Sequence, residues 1–284
     1  MSVLQTHRQR EAVGTIHDVV NAMRAIAAGR IQGAQRALAS ARDYEAVVLR
    51  GLAALLAEGL TLPRPSVARA RVLLVMTSEQ PLCGAFNQNV LALAERRWQD
   101  LRETSEVHLI AVGQRGQRQL IARGIAPDFA EPAATSPQGL RDLVKRLAAH
   151  IDQRFAAGKV DALHVIFSRY RSVSEQVPTE EQLLPFEPTR LPPIVREQGQ
   201  KPRRYLPAAT LLAGLISEYA FINLYRIAAD SFASEQASRL IAMDGATRNT
   251  EKMLQSLMDL ERRERQEEIT RQVLELISAR FATE

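Results

Sequence analysis

Proline is absent from Leu4 to Glu58, and again from Ala208 to the final residue, Glu284. A residue that lacks an amide hydrogen and clashes with the preceding turn is the main interrupter of helices, so its absence over such spans permits two very long ones. In the first span apolar side chains recur at three- and four-residue steps: Val13, Ile16, Val20, Met23, Ala27, Ile31, Ala34, Leu38, Ala41, Tyr44, Val48, Leu52 and Leu55. Such spacing is the stripe of a single amphipathic helix. At 1.5 Å per residue, a helix of about 55 residues spans about 80 Å, longer than a globular domain is wide.

A stripe that long needs a partner of similar length. The C-terminal span supplies it, with Pro207 placed for a first helical turn and Gly214 and Gly245 as its weak points. A helix of about 75 residues reaches about 110 Å and would overhang the first by roughly 30 Å if both leave a common base. The residues between the spans are too many for a helix-pair loop. The arrangement this predicts is an antiparallel coiled coil made from the chain's two ends, with a domain inserted at its foot.

The insert reads as alternating strands and helices. Arg71 to Thr77, Val107 to Val112 and Ala162 to Phe167 are short apolar runs of buried-strand type. Asn87 to Leu101, Gln114 to Arg123 and Pro137 to Phe155 have helical spacing. That order implies a small parallel, Rossmann-like α/β sheet. Prolines then cluster from Pro185 to Pro207 around Lys201, Arg203 and Arg204, which predicts an irregular linker. The expected fold class is mixed α+β, divided as an N-terminal coiled-coil helix over 1–60, the α/β insert over 68–186, a proline-rich linker over 187–206 and a C-terminal coiled-coil helix over 207–284.

Composition narrows the class. Only 5% of residues are aromatic against 46% hydrophobic, which favours Ala- and Leu-rich helices over one thick core. A net charge of +5 points to an acidic partner: nucleic acid, anionic lipid or an acidic protein surface. Cys83 is the one cysteine, so an internal disulfide and a cysteine zinc site are excluded, and a reducing compartment fits. No run of about 18 consecutive apolar residues is present, and the start MSVLQTHRQR leads straight into a helical pattern with Glu11 and Asp18. Neither direct membrane insertion nor a signal peptide is expected.

An α/β sheet invites a nucleotide-binding reading, which the sequence does not support. The segment after the first strand, SEQPLCGAFN, has one glycine and neither a G-x-G-x-x-G nor a G-x-x-x-x-G-K-[ST] pattern. The histidines His7, His17, His108, His150 and His164 lack metal-ligand spacing. Cys83, between Leu82 and Gly84, reads as a small packed residue. No catalytic residue, cofactor or metal ligand is expected.

Several segments carry a resemblance. Asn21 to Gln35 (NAMRAIAAGRIQGAQ) resembles the first helix of the gamma, or central-stalk, subunit of F-type ATP synthases and ATPases. Thr77 to Asn89 (TSEQPLCGAFNQN) is similar to that family's T-S-D-x-G-L-C-G loop, and Gln176 to Pro185 (QVPTEEQLLP) to its Q-x-P-x-x-x-x-L-L-P segment. Ala233 to Met243 (ASEQASRLIAM) and Arg265 to Ser278 (RQEEITRQVLELIS) are similar to its two C-terminal signatures. The order is right and the segments run through the whole chain. Gly29, Gly33, the Asp244-Gly245 pair and the tail ARFATE depart from the family pattern, as in a divergent member.

The resemblance implies a non-catalytic rotor shaft. Its expected partners are the alpha and beta subunits of a three-plus-three ring, the epsilon subunit and the membrane c-ring, on the cytoplasmic face of a bacterial inner membrane. It places Met23, Arg24 and Arg30 near an acidic lever of a catalytic subunit, and Arg265 and Gln266 at a catch loop. Arg239 and Met243 match the coiled-coil signature. Arg24, Arg30, Arg36 and Arg42 fall in an acid-free stretch and, at 100° per residue, spread around the helix rather than forming the single stripe a nucleic-acid groove would select. The rival readings are a coiled-coil scaffold or nucleic-acid-binding protein, and a nucleotide-dependent α/β enzyme with helical arms. Near the C-terminus, Asp259/Arg263, Glu261/Arg265 and Glu267/Arg271 are spaced for ion pairs that would support an overhanging helix.

Overall fold

A computed structural model describes residues 3–62, 70–158, 160–192 and 205–281. Most of the predicted linker, with Lys201, Arg203 and Arg204, lies outside the described residues, as does the end of the ARFATE tail. The two predicted long helices form: α1 (Val3–Ala57) and α5 (Ala208–Phe281). The first stops where Gly59 adopts φ +92°, a left-handed conformation that lets its amide turn back to the Leu56 carbonyl at 3.1 Å.

Between them lie β1 (Ala70–Met76), α2 (Phe86–Arg102), β2 (Glu106–Val112), α3 (Gln114–Ala122), β3 (Phe129–Glu131), α4 (Leu140–Ala156), β4 (Ala162–Tyr170) and β5 (Gln176–Leu184). The sheet order is β3-β2-β1-β4-β5. β1 pairs in parallel with β2 and β4, β2 in parallel with β3, and β5 runs antiparallel to β4. The three strands expected from the sequence thus pair in parallel, and the antiparallel β5, which the sequence did not announce, makes the sheet mixed. β5 carries Pro178, which cannot donate to a ladder, and it is tolerated because β5 is an edge strand.

The chain divides into two compact units, residues 27–239 and the pair of segments 1–26 and 240–284. In the larger unit β1 shows why its strand reads as an unbroken apolar run. Successive side chains point to opposite faces, so Val72, Leu74 and Met76 enter one buried cluster and Leu73 and Val75 another. α2 and α3 cover the second face. The first is covered by α4, by Ala34 and Leu38 of α1, and by Leu224, Ile227, Ala229 and Phe232 of α5. A third cluster packs Val48, Leu52 and Leu55 of α1 against Leu212 and Tyr219 of α5, with Phe186 edge-on to Tyr219 at 4.7 Å.

In the smaller unit α1 and α5 run antiparallel along a polar seam. Thr6 donates to Glu264, His7 and Arg10 meet Glu261, His17 meets Thr250, Thr247 donates to Asn21, and Arg24 pairs with Asp244. Ile16, expected in the apolar stripe, is exposed because His17 and Asn21 take the inward positions; in the larger unit Tyr44 also turns outward, donating to Glu218. The tract beyond Asp259 needs a further correction. Asp259 pairs with Arg262 and Glu268 with Arg271, one residue closer than the predicted i,i+4 spacing, while Glu261 turns to α1. Through Glu264 the helix still faces α1, and residues 265–278 are exposed apart from the half-buried Glu268.

One 18-residue window of α5 has mean hydropathy 1.3 and is 28% buried, so by length and composition alone this helix could cross a membrane. No continuous apolar run is needed to reach that average. Core helices pass the same test, and α5 places Leu224, Ile227 and Phe232 in the core of the larger unit.

Candidate interaction surface

In a doubly wound sheet, a ligand phosphate commonly sits at a helix N-terminus beyond the strand ends, where unpaired amides point outward. Here the residue after β1's turn fills that position. Glu79 accepts from the amides of Gln114, the first residue of α3, and of Ala133, at 3.2 and 2.9 Å. Gly113, which precedes α3 with φ +95°, lies so close to Thr77 that a Cβ would stand 2.5 Å from the threonine carbonyl oxygen. The threonine hydroxyl donates to the Val112 carbonyl, and Ser78 exchanges hydrogen bonds with Asn87, its amide donating to the asparagine carbonyl and its hydroxyl accepting from the asparagine amide. Cys83 packs into this network, where burial pushes its thiol pKa up. The loop is thus built to hold a shape.

What it holds is an exposed Leu82 with φ +66°, a conformation bulky residues rarely adopt. Arg239 of α5 secures the turn from behind by donating to the carbonyls of Gln80 and Pro81, at 3.4 and 3.3 Å. Arg239 also pairs with Glu235 at 2.7 Å, and both are buried. Burial pushes the Glu235 carboxyl pKa up, against the opposing pull of Arg239 and of Arg30.

The six residues singled out from the sequence fall into two groups. In the larger unit Arg30 and Arg239 come together around Glu235, so Arg239 is spent inside the chain. In the smaller unit Met23 is half-buried, and Arg24 is exposed, 3.3 Å from Asp244. Arg265 and Gln266 are exposed on the part of α5 beyond Glu264, and Gln266 shares a face with Arg263, Glu267, Thr270, Arg271 and Leu274. They lie about 30 Å along α5 from Asp244, so Arg24 and Arg265 do not form one site. Glu79 and Glu235 were missed by sequence reasoning. Glu235 had a legible signal, its acid-first i,i+4 spacing to Arg239; Glu79 had none, since its partners are backbone amides far along the chain.

A model of the family described as ATP synthase matches residues 2–282. An ATP synthase gamma chain of Methylobacterium sp. (strain 4-46) is 33% identical, over 98% of this chain and 98% of that one. A gamma chain of Hyphomonas neptunium is 31% identical over 94% of each. Among solved structures, a chain of the Euglena gracilis mitochondrial ATP synthase (OSCP/F1/c-ring, rotational state 3) superposes with TM-score 0.63 at 13% identity, covering 99% of this chain and 94% of that one. A chain of the Tetrahymena thermophila mitochondrial ATP synthase central stalk and c-ring gives 0.55 at 20% identity, covering 80% of this chain and 99% of that one. Those two likenesses establish the fold. With the family match over nearly its whole length and relatives at a third identity, the chain belongs to the ATP synthase gamma-chain family.

Proposed function

We propose that this gamma chain works as the central shaft of an F-type ATP synthase and carries no catalytic residue of its own. The supporting observation is the antiparallel pairing of α1 with α5, whose last turns continue past the start of α1 as an exposed helix. A single lopsided shaft cannot touch three equivalent catalytic subunits equally. Differential contact then biases each toward a different affinity for nucleotide, and rotation permutes the three. The helices over 1–60 and 207–284 form the shaft, and the domain over 68–186 is its foot.

Partner contacts follow the same division. Met23 and Arg24, with Arg30 nearby, face the acidic lever of a catalytic subunit, Arg239 belongs to the coiled-coil signature, and Arg265 and Gln266 engage a catch loop. The foot meets the epsilon subunit and the c-ring, which holds the chain peripherally at the cytoplasmic face of a bacterial inner membrane. Exposed ion pairs contribute only about 0–1 kcal/mol each, so the shape and stiffness of the shaft, more than single charges, drive the exchange.

Reconstitution tests the reading. Mixed with its own alpha and beta subunits, the chain should enter a complex at one copy per ring and raise multisite ATP hydrolysis. Absence of both effects, or tight ATP binding by the isolated chain, would contradict it.

A further inference from the structure

Among the described residues, the packing of α1 and α5 on the sheet is mostly apolar, with an ionic junction at Arg226. Arg226 of α5, its side chain only 12% exposed, meets carboxylates from three elements. It donates through both terminal nitrogens to Glu181 of β5, and lies 3.7 Å from Glu45 of α1 and from Asp230 one turn along α5. Its Nε and Nη2 also donate to Asn223 at 3.2 and 3.0 Å. Arg169 of β4 donates to the same Glu181. Arg42 of α1 acts on Asp230, and the six charged residues line a cleft of about 460 Å³.

Three arginines thus face three carboxylates. Burial works against the charge on Arg226, but Glu181, Glu45 and Asp230 outweigh it and raise its pKa further. At Asp230 burial prevails over the neighbouring arginines and pushes the carboxyl up.

Direction separates this junction from the apolar contacts around it. Hydrophobic burial is non-directional, so a helix can shift along a sheet with little change in buried area. A guanidinium bonded to a carboxylate from two nitrogens has a fixed orientation, and displacing it leaves buried charge uncompensated. We propose that Arg226 is a positioning residue that locks the helix pair to the sheet against sideways load, so that torque entering α1 and α5 reaches the α/β foot without slip. The proposal rests on the shaft reading, and adds to it the place where the load crosses between helices and sheet.

The test uses the assembled, membrane-bound complex, with ATP hydrolysis and ATP-driven ion pumping measured together, first without and then against an imposed ion gradient. Arg226→Met keeps the side-chain bulk, and Arg169 remains to neutralise Glu181. Hydrolysis should stay near that of the unsubstituted complex. Ions pumped per ATP should fall by roughly half or more against the gradient and change little without it, because only load displaces the weakened joint. Arg226→Lys, which keeps the charge but loses the two-nitrogen bond, should fall between. Glu181→Gln should repeat the load-dependent loss and gives the answer if Arg226→Met does not assemble. A pumping-to-hydrolysis ratio unchanged at high load overturns the proposal. So does a parallel fall in assembly and hydrolysis at every load for both variants, the mark of a purely structural role. Failure of the unsubstituted complex to pump would instead count against the shaft reading.

Discussion

Gly33 of α1 approaches Pro137 so closely that a Cβ at position 33 would stand 2.8 Å from the proline Cγ. A glycine that looked like a flaw in a long helix is the point where the turn leading into α4 packs onto α1. Because the proline ring cannot rotate away, Gly33→Ala should destabilise the protein by about 1–3 kcal/mol despite its better helix propensity. A Cβ at Gly29 would meet nothing within 4 Å, so Gly29→Ala should stabilise by up to about 1 kcal/mol. Urea denaturation of both variants checks the pair, and a Gly33→Ala variant as stable as Gly29→Ala would show that the turn simply shifts.

Arg239 and Glu235 make a buried pair in which each member depends on the other. Arg239→Met strands the carboxylate and should cost about 3–5 kcal/mol, with Glu235→Gln in the same chain recovering much of the loss. The deficit should be largest near neutral pH and shrink on acidification. A raised carboxyl pKa means the folded chain binds the proton more tightly, so stability is gained at low pH and lost as pH rises through the window above the usual 4.5. Equal deficits at pH 5 and pH 8 would contradict this.

His108 and His150 present their Nε2 atoms to each other at 3.4 Å, with Asp128 3.3 Å from the Nδ1 of His108 and Phe129 stacked on His150. Burial, helped by the charge of Arg154, lowers both imidazole pKa values from 6.5; Asp128 and Glu106 oppose the shift at His108, and Glu131 opposes it at His150. The unfolded chain therefore binds more protons in the window just below 6.5. Stability is complete above that pH and declines as pH falls through the folded values. His150→Gln should flatten this decline in urea titrations between pH 7.5 and 5.5, and an unaltered slope would remove the pair as its cause.

Arg24, Arg265 and Gln266 separate contact with a partner from contact within the fold. Arg24 is exposed beside Asp244, so Arg24→Ala should change the stability of the isolated chain by less than about 1 kcal/mol, as should Arg265→Ala and Gln266→Ala. In the assembled ring the same changes should lower ATP hydrolysis. Full activity in all three variants would withdraw these residues from the proposed interface.

Much of the architecture was legible along the chain because it depends on local periodicity. The proline-free stripes announced α1 and α5, and apolar runs announced β1, β2 and β4, since strands buried on both faces need no alternation. β5 was not legible as a strand: Pro178, Glu180, Glu181 and Gln182 look like a loop, and only the β4 edge supplies a ladder for them. The charges were the least legible. Spacing alone paired Glu261 with Arg265, whereas the structure gives Glu261 to His7 and Arg10 on the other helix.

By itself, then, the order of residues determined that there would be two long helices, a small α/β insert and the membership its motifs announced, because propensity, periodicity and proline placement act over a few neighbours. Which charges are spent inside the chain was decided only in three dimensions. Arg239 ends behind a loop far away in sequence, and Arg226 ties α5 to both α1 and β5, because electrostatic partners are chosen by distance in a low-dielectric interior rather than by separation along the backbone.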